Sequence, residues 1–458
     1  MENEIIVGLD IGTTKIACFV GMRGENGTVK ILGFGKTKSE GVEHGVVKNV
    51  LLAADSIRKA VNEAADQANV DIDEVWVGIA GQHIKSRPSQ GSIMVPPEHR
   101  LIEQEDVDRL IAEQYNTMLE PGEEIIHIFP QQYYVDREPI SRDIPPVGVG
   151  GKNLMADFHM VTANVQNLQY IKYAVQEAGL KIKGVVLEPI ASAKAVLNES
   201  DRDAGVAMVD IGGGTTDIAI FYDGIIRHTS VLPLAGNAIT NDIHQGCNIL
   251  KKQAESLKVK FGSCLVQAVS ENDVISIPGI PSQAPREIYM KTLAGIIHAR
   301  AKQILEQVDY EIKLSGFHQK LIAGVVLTGG GAQLKNIKEL SELSTTTDTR
   351  IGIPNEHLDA ESVSYNELMH PMYATGIGLV LYGLEEAEKC CNPEAEVEEE
   401  PETKTKDIFA DMMPEPEKPV EKTPETSEKK TKEKKGPGKF EKVLGDFFSS
   451  VFGEGIDD

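Results

Sequence analysis

Apolar residues along the chain follow two rhythms, and the switches between them mark the elements. Short apolar runs such as Ile5-Ile6-Val7-Gly8-Leu9 and Val206-Ala207-Met208-Val209 read as buried strands. Each leads into a glycine turn and returns as a second run, Ile16 to Val20 and Ile218 to Tyr222, so both segments predict β-hairpins. Stretches with helical spacing predict helices near Leu51 to Ala68, Glu105 to Gln114 and Asn167 to Ala178. A longer helical pattern follows Pro285-Arg286-Glu287 and ends near Leu314. With the strand Val75-Trp76-Val77-Gly78-Ile79-Ala80 between the helices, the pattern is that of an α/β fold.

The two turns are copies of one phrase. Asp10-Ile11-Gly12-Thr13-Thr14-Lys15-Ile16-Ala17 recurs as Asp210-Ile211-Gly212-Gly213-Gly214-Thr215-Thr216-Asp217-Ile218-Ala219, with two extra glycines. Glycine at a turn tip lets the backbone approach an anion closely. Threonine hydroxyls and turn N–H groups can then surround phosphate oxygens. The candidates are Gly12, Thr13, Thr14 and Lys15 in the first copy and Gly212, Gly213, Gly214, Thr215 and Thr216 in the second. Two such hairpins face to face would grip one polyphosphate, which implies a duplicated, two-lobed nucleotide clamp. Asp10 and Asp210 stand where Mg²⁺ and its waters would bridge the phosphates, with Asp217 a further candidate for that shell. Lys15 reads either as a point charge for a phosphate or as a solvated strand lysine.

A third glycine cluster, Val325-Val326-Leu327-Thr328-Gly329-Gly330-Gly331-Ala332-Gln333-Leu334, predicts a strand running into a helix opened by glycines. Such an N-terminus suits a ribose or phosphate; alone, the same letters spell a tight strand-to-helix turn. Rival motifs are absent. Gly33-Phe34-Gly35-Lys36-Thr37 resembles the end of a P-loop, but Lys30 stands where the first glycine is required. No G-x-G-x-x-G opens a helix after a strand, which disfavours a dinucleotide fold.

These motifs resemble the phosphate-1, phosphate-2 and adenosine motifs of the actin, sugar-kinase and heat-shock-chaperone ATPase superfamily. Within it, residues 4 to 385 are similar to the FtsA family of bacterial division proteins. The resemblance is carried by Gly81-Gln82-His83-Ile84, His127-Ile128-Phe129-Pro130-Gln131-Gln132-Tyr133 and Pro146-Val147-Gly148-Val149-Gly150-Gly151. Leu234-Ala235-Gly236-Asn237-Ala238-Ile239-Thr240, Ala254-Glu255-Ser256-Leu257-Lys258-Val259-Lys260 and Tyr373-Ala374-Thr375-Gly376-Ile377-Gly378-Leu379 extend it. It implies a two-lobed actin-like (ribonuclease-H-like) fold that binds ATP and Mg. The adenosine would be held by Gly236, Asn237, Glu255, Lys258, Gly329, Gly330, Gly331 and Gln333. Glu188, in Leu187-Glu188-Pro189-Ile190-Ala191-Ser192-Ala193, matches the water-polarising carboxylate of hydrolytic members, so slow ATPase activity is implied at most.

The implied organisation is a first lobe of 1–83 and 166–203, completed by about 373–385, with an FtsA-type subdomain inserted at 84–165. A second lobe of 204–236 and 318–372 would carry a mainly helical insert at 237–317. By resemblance this insert receives the C-terminal peptide of FtsZ, with Arg286, Lys291 and Arg300 as the basic candidates. The 84–165 insert would contact neighbouring subunits or other divisome proteins. The implied role is a polymer at the cytoplasmic face of the membrane that anchors the Z ring at the division septum. Alternatives of similar fold are a PilM-like pilus-assembly adaptor or an MreB-like membrane cytoskeletal protein. A small-molecule kinase or a chaperone gives no reason for the tail described next.

Length and charge narrow the classes. The 458 residues allow two to four domains, and the net charge of −24 argues against a nucleic-acid partner. Five scattered cysteines without metal-ligand spacing fit a reducing compartment. The chain enters a strand at Glu4 and shows no apolar span long enough to cross a membrane, so the expectation is no signal peptide and peripheral membrane attachment.

From about residue 386 to 437 the composition is rich in Glu, Lys, Pro and Thr and predicts a disordered linker. Such a coil spans roughly 35–40 Å. At 438–453, Phe440, Val443, Leu444, Phe447, Phe448, Val451 and Phe452 recur at helical spacing. Four of these seven are phenylalanine in a chain with only 12, which predicts an amphipathic membrane-targeting helix; the alternative is a helix that docks back onto the globular body. Lys429, Lys430, Lys432, Lys434, Lys435 and Lys439 precede it and would favour anionic lipids. One Phe contributes about 1.5–3 kcal/mol on full burial, while helix ordering costs about 1 kcal/mol per residue. A single copy therefore binds weakly and a polymer binds firmly.

Overall fold

The computed structural model, which describes residues 4–24, 27–97, 101–141, 144–278 and 285–391, contains the same five-stranded sheet twice. The first begins as a meander of β1 (Ile6–Ile11), β2 (Lys15–Arg23) and β3 (Val29–Lys38). A small hairpin, β4 (Val42–Glu43) and β5 (Val46–Val47), leads into α1 (Val50–Ala68) and then β6 (Glu74–Ile79), parallel to β1. Every residue of β1 is buried, as a strand covered on both faces requires. The Asn49 side chain caps α1 by accepting from Leu52 N–H at 3.1 Å, and left-handed Asn69 ends it. The helix lies on Gly33 and Gly35 of β3, where an added Cβ would stand 2.2 Å from Ala64 O and 2.0 Å from Ala60 O. The P-loop look-alike is thus a packing surface.

A separate antiparallel sheet follows, made from β7 (Lys85–Met94), β8 (Glu123–Val135), β9 (Glu138–Pro139) and β10 (Asn153–Asn164) in the order β7-β10-β8-β9. α2 (Gln104–Gln114) buries Val107, Leu110 and Ile111 on it. α3 (Val165–Glu177) returns the chain to β11 (Lys181–Leu187), which closes the first sheet as β11-β6-β1-β2-β3. Two helices, α4 (Glu188–Val196) and α5 (Glu199–Ala204), connect to the second half.

There β12 (Val206–Ile211), β13 (Thr216–Tyr222) and β14 (Ile225–Leu232) repeat the meander. α6 (Gly236–Cys247), α7 (Lys251–Phe261), a strand pair β15 (Val274–Ile277) and β16 (Arg286–Tyr289), and α8 (Met290–Leu314) come before β17 (Gly324–Thr328). α9 (Ile337–Thr345) and β18 (Thr349–Ile351) complete the order β14-β13-β12-β17-β18, the first sheet's order with each strand replaced by its counterpart. The short α10 (Tyr365–Leu368) and then α11 (Ala374–Cys391) bring the chain back onto β1, β2 and α4.

One segment gains structure and one expectation changes. Arg286, ahead of the long helix as the pattern predicts, lies in a strand because Ile277 and Ile288 bury against the body and favour a paired ribbon. The third glycine cluster opens a 3₁₀ turn at Gly330–Gln333, and α9 starts only after Asn336, whose left-handed backbone (φ 64°) blocks an earlier start. No described helix is long and apolar enough to cross a membrane. The linker beyond 391 and the terminal helix at 438–453 lie outside the described residues.

Candidate functional site

Both glycine turns open onto one cavity of about 610 Å³ between the sheets. Its wall includes Asp10, Gly12, Thr13, Thr14, Lys15 and Glu188 from the first half. Asp210, Gly212, Gly213, Gly214, Thr215, Asp217, Gly236, Asn237, Glu255, Lys258, Gly329, Gly330, Gly331 and Gln333 come from the second. One candidate phosphate ligand is not there. Thr216 is fully buried in β13 and donates its hydroxyl to Leu234 O at 2.8 Å. The strand registers give the reason. Ile11 pairs with Ile16 and Ile211 with Thr216, so each turn has four residues, 12–15 and 212–215. The extra glycines do not lengthen the second turn; they push the threonine pair toward the strand. Asp217 thereby lands opposite Asp210, where the first hairpin has Ala17 opposite Asp10.

The two tips meet. An added Cβ on Gly213 would sit 1.9 Å from Thr14 Oγ1, and one on Gly214 2.5 Å from Thr13 Oγ1. The second turn is fixed from behind by the start of α6, whose first N–H groups would otherwise lack partners. Gly236 N–H donates to Gly212 O at 3.1 Å and Asn237 N–H to Gly213 O at 2.7 Å. Sequence reasoning missed a third contributor, the β4–β5 turn at His44-Gly45. His44 Nδ1 lies 2.9 Å from Gly214 O, and Gly45 N–H donates to Thr13 Oγ1 at 3.1 Å. Its signal was a His-Gly pair between valines, the sequence of a two-residue hairpin with positive φ at both turn positions (48° and 72°).

Below the tips, Asp10, Asp210 and Glu188 crowd one lysine, and Asp217 stands beside Asp210. Lys15 Nζ lies 2.5 Å from Asp10 Oδ2; burial works against its charge, but Asp10 and the more distant Asp210 outweigh it and hold the pKa up. Burial, reinforced by Asp10, raises Asp210 despite hydrogen bonds from Ser192 (2.8 Å) and Thr375 (3.2 Å). Burial and the Asp210 charge push Asp217 up to about 8, although Thr215 donates to it at 3.0 Å. Burial, followed by Asp10, Asp217 and Asp210, raises Glu188 well above the carboxylate range. Asp217 Oδ1 is buried with no hydrogen-bond partner. This donor set calls for a cation. Among the described residues no three His, Cys, Asp or Glu side chains converge to form a direct metal site; carboxylates are the ligands Mg²⁺ takes, directly or through its waters.

The far end of the cavity is less charged. Lys258 bridges Glu255 (2.9 Å), Thr240 Oγ1 (2.9 Å) and Gly236 O (3.1 Å), tying α7 to the start of α6. Met290, Met372, Phe261 and Val259 add apolar wall that the sequence did not single out. Arg286, Lys291 and Arg300 lie outside this cavity. Arg286 donates to Cys247 O at 3.2 Å, Lys291 pairs with Glu271, and Arg300 grips Asp242 through two bonds of 2.6 and 2.9 Å.

Comparison with known proteins places these features. The family profile described as cell division protein FtsA matches residues 207–378, and that of the SHS2 domain inserted in FtsA matches residues 81–162. The chain is 35% identical to cell division protein FtsA of Pseudomonas aeruginosa over 384 residues, 84% of this chain and 90% of that protein. It is 33% identical to FtsA of Escherichia coli K12 over 404 residues, covering 87% and 94%. A solved PilM-PilN type IV pilus biogenesis complex aligns with a TM-score of 0.59 at 16% identity, over 83% of this chain and 98% of that one, a likeness of fold.

Proposed function

This chain belongs to the FtsA family of cell-division proteins, and from that premise we propose that it is an ATP-binding, membrane-bound polymer that anchors the FtsZ ring. Its fold is the two-lobed actin-like one with an SHS2 insert. The observation that carries the nucleotide assignment is the meeting of two equal four-residue turns above Asp10, Asp210, Asp217 and Glu188. The turn N–H groups, Thr13, Thr14 and Thr215 bind phosphate oxygens, and Glu255, Lys258 and the 329–333 turn position the adenosine. A hydrated Mg²⁺ would be held by Asp10, Asp210 and Asp217 and would neutralise charge on the phosphates. Glu188 orients a water for hydrolysis only when ionised. Burial and the neighbouring Asp10, Asp217 and Asp210 raise its pKa and so disfavour the ionised form, which supports slow turnover at most.

Arg286, Lys291 and Arg300 are assigned to the acidic C-terminal peptide of FtsZ, the insert to subunits and other divisome proteins, and residues 438–453 to anionic lipid at the cytoplasmic face of the septum. Calorimetry with ATP and magnesium, followed by electron microscopy on lipid monolayers with and without FtsZ, tests the reading. Nucleotide uptake and ATP-dependent, FtsZ-aligned filaments are expected. No uptake rejects the clamp; uptake without filaments rejects the polymer.

A further inference from the structure

The segment His127-Ile128-Phe129-Pro130-Gln131 of β8 touches no part of the cavity, yet it runs from the base of α4 to the second lobe. β11 is an edge strand, so part of its backbone faces away from β6 without a strand to pair with. Leu187 N–H, at the end of β11, donates to His127 Nε2 at 3.3 Å. Leu187 is also the N-cap residue of α4, which has no side-chain cap, and the next residue is Glu188. His127 is buried, and since Nε2 accepts, its proton must sit on Nδ1, which has no hydrogen-bond partner. Among the described residues the bond from Leu187 N–H is the ring's one hydrogen bond.

From His127 the packing continues without a gap. Phe129 stacks between His127 (5.6 Å) and His159 (6.3 Å), and His159 Nε2 lies 3.0 Å from Thr229 Oγ1. Gln131 Nε2 donates to Ile226 O at 2.8 Å, and Arg227 Nη1 donates to Gln131 O at 3.1 Å. Ile226, Arg227 and Thr229 belong to β14, the neighbour of β13, which carries Asp217. The inserted sheet therefore touches both the N-cap residue of the helix that bears Glu188 and the sheet that bears Asp217.

We propose that His127 is a positioning residue for Glu188, through which the inserted sheet sets the hydrolytic competence of the cleft. The hydrolytic part rests on the nucleotide reading above; the Leu187 contact does not. Burial pushes His127 down to about 4, so the contact persists over the physiological range.

Two measurements on the full chain decide it. In wild-type protein labelled with ¹⁵N-histidine, His127 (assigned with His127→Gln) should show a protonated Nδ1 and bare Nε2, unchanged from pH 8 to pH 5. The opposite tautomer, or titration in that range, overturns the proposal without any altered fold. Hydrogen exchange at 187–190 should be about tenfold faster in His127→Leu and restored by His127→Gln, whose amide oxygen can accept the same bond. Phosphate release per bound ATP should fall about tenfold in His127→Leu with affinity held within about twofold, and recover in His127→Gln. Equal exchange in all three proteins, or Gln as impaired as Leu, overturns it. If wild type takes up no ATP, the clamp reading fails and the hydrolytic role with it, while tautomer and exchange still decide the Leu187 contact.

Discussion

Replacing Asp217 with asparagine should stabilise the nucleotide-free protein while weakening magnesium-dependent ATP binding. Asp217 is raised from 3.8 to about 8, so the folded state holds its proton over a range where the unfolded chain releases it. The sign follows from linkage: the folded state loses relative stability as pH rises from about 4 to about 8, and nothing further above that. At about 1.4 kcal/mol per pH unit, the cost reaches a ceiling of about 4 kcal/mol at pH 7. Asparagine removes that cost. It keeps an oxygen for the Thr215 hydroxyl at 3.0 Å but sets an NH₂ where Oδ1 has no partner, returning about 1–3 kcal/mol. The net gain is about 1–3 kcal/mol at pH 7, which for a body of this size corresponds to about 1–4 °C in Tm. Scanning calorimetry in EDTA at pH 5, 7 and 8 reads it directly, with the gap between the proteins widening as pH rises. A variant that melts at or below wild type at pH 8, or a gap independent of pH, refutes the crowded-carboxylate account.

Three further outcomes follow from the same geometry. Gly213→Ala needs about 1.5 Å more room between the tips to reach ordinary contact with Thr14, so ATP affinity should fall about 5- to 50-fold with little change in Tm; unchanged affinity by calorimetry means that the tips do not hold the phosphates. Arg286→Glu should weaken FtsZ-peptide binding without lowering Tm, whereas Arg300→Glu faces Asp242 and should lower Tm by about 2–4 °C, so fluorescence anisotropy on Arg286→Glu is the clean assay and equal affinity rejects the assignment. Deleting 438–458 should abolish liposome flotation and leave ATP affinity within about twofold; retained flotation places lipid binding elsewhere.

The hairpins were legible because each pairs two apolar runs across a glycine turn, and because the phrase occurs twice. The helices at 51–68, 105–114 and 167–178 fell within a few residues of α1, α2 and α3 because each has one buried stripe. What escaped was set by distance in space. The β15–β16 ribbon has four residues a strand, too few for alternation to outvote the helix that follows. The His44-Gly45 turn lies between strands of two residues, and its contacts are with Thr13 and with Gly214, 170 positions away from His44. Thr216 matches Thr14 in the phrase but not in place. Backbone register, which no alignment of the two phrases reveals, sets its partner as Ile211 and turns it into the core.

That same register explains why a duplicated fold needs unlike halves. The strand orders correspond one to one and the turns are equal in length, so twofold-like copies would bring identical tips together. Threonine against threonine at 13, 14, 213 and 214 does not fit, since even one Cβ on Gly213 falls 1.9 Å from Thr14 Oγ1. One tip therefore presents hydroxyls and the other bare backbone. The carboxylates divide in the same way: Lys15 answers Asp10 in the first hairpin, while the second places Asp217 beside Asp210 with Thr215 as its neighbour. Within the hairpins, the first pairs its carboxylate with a lysine and the second leaves two carboxylates side by side, so the demand for an ion is greatest at Asp210 and Asp217.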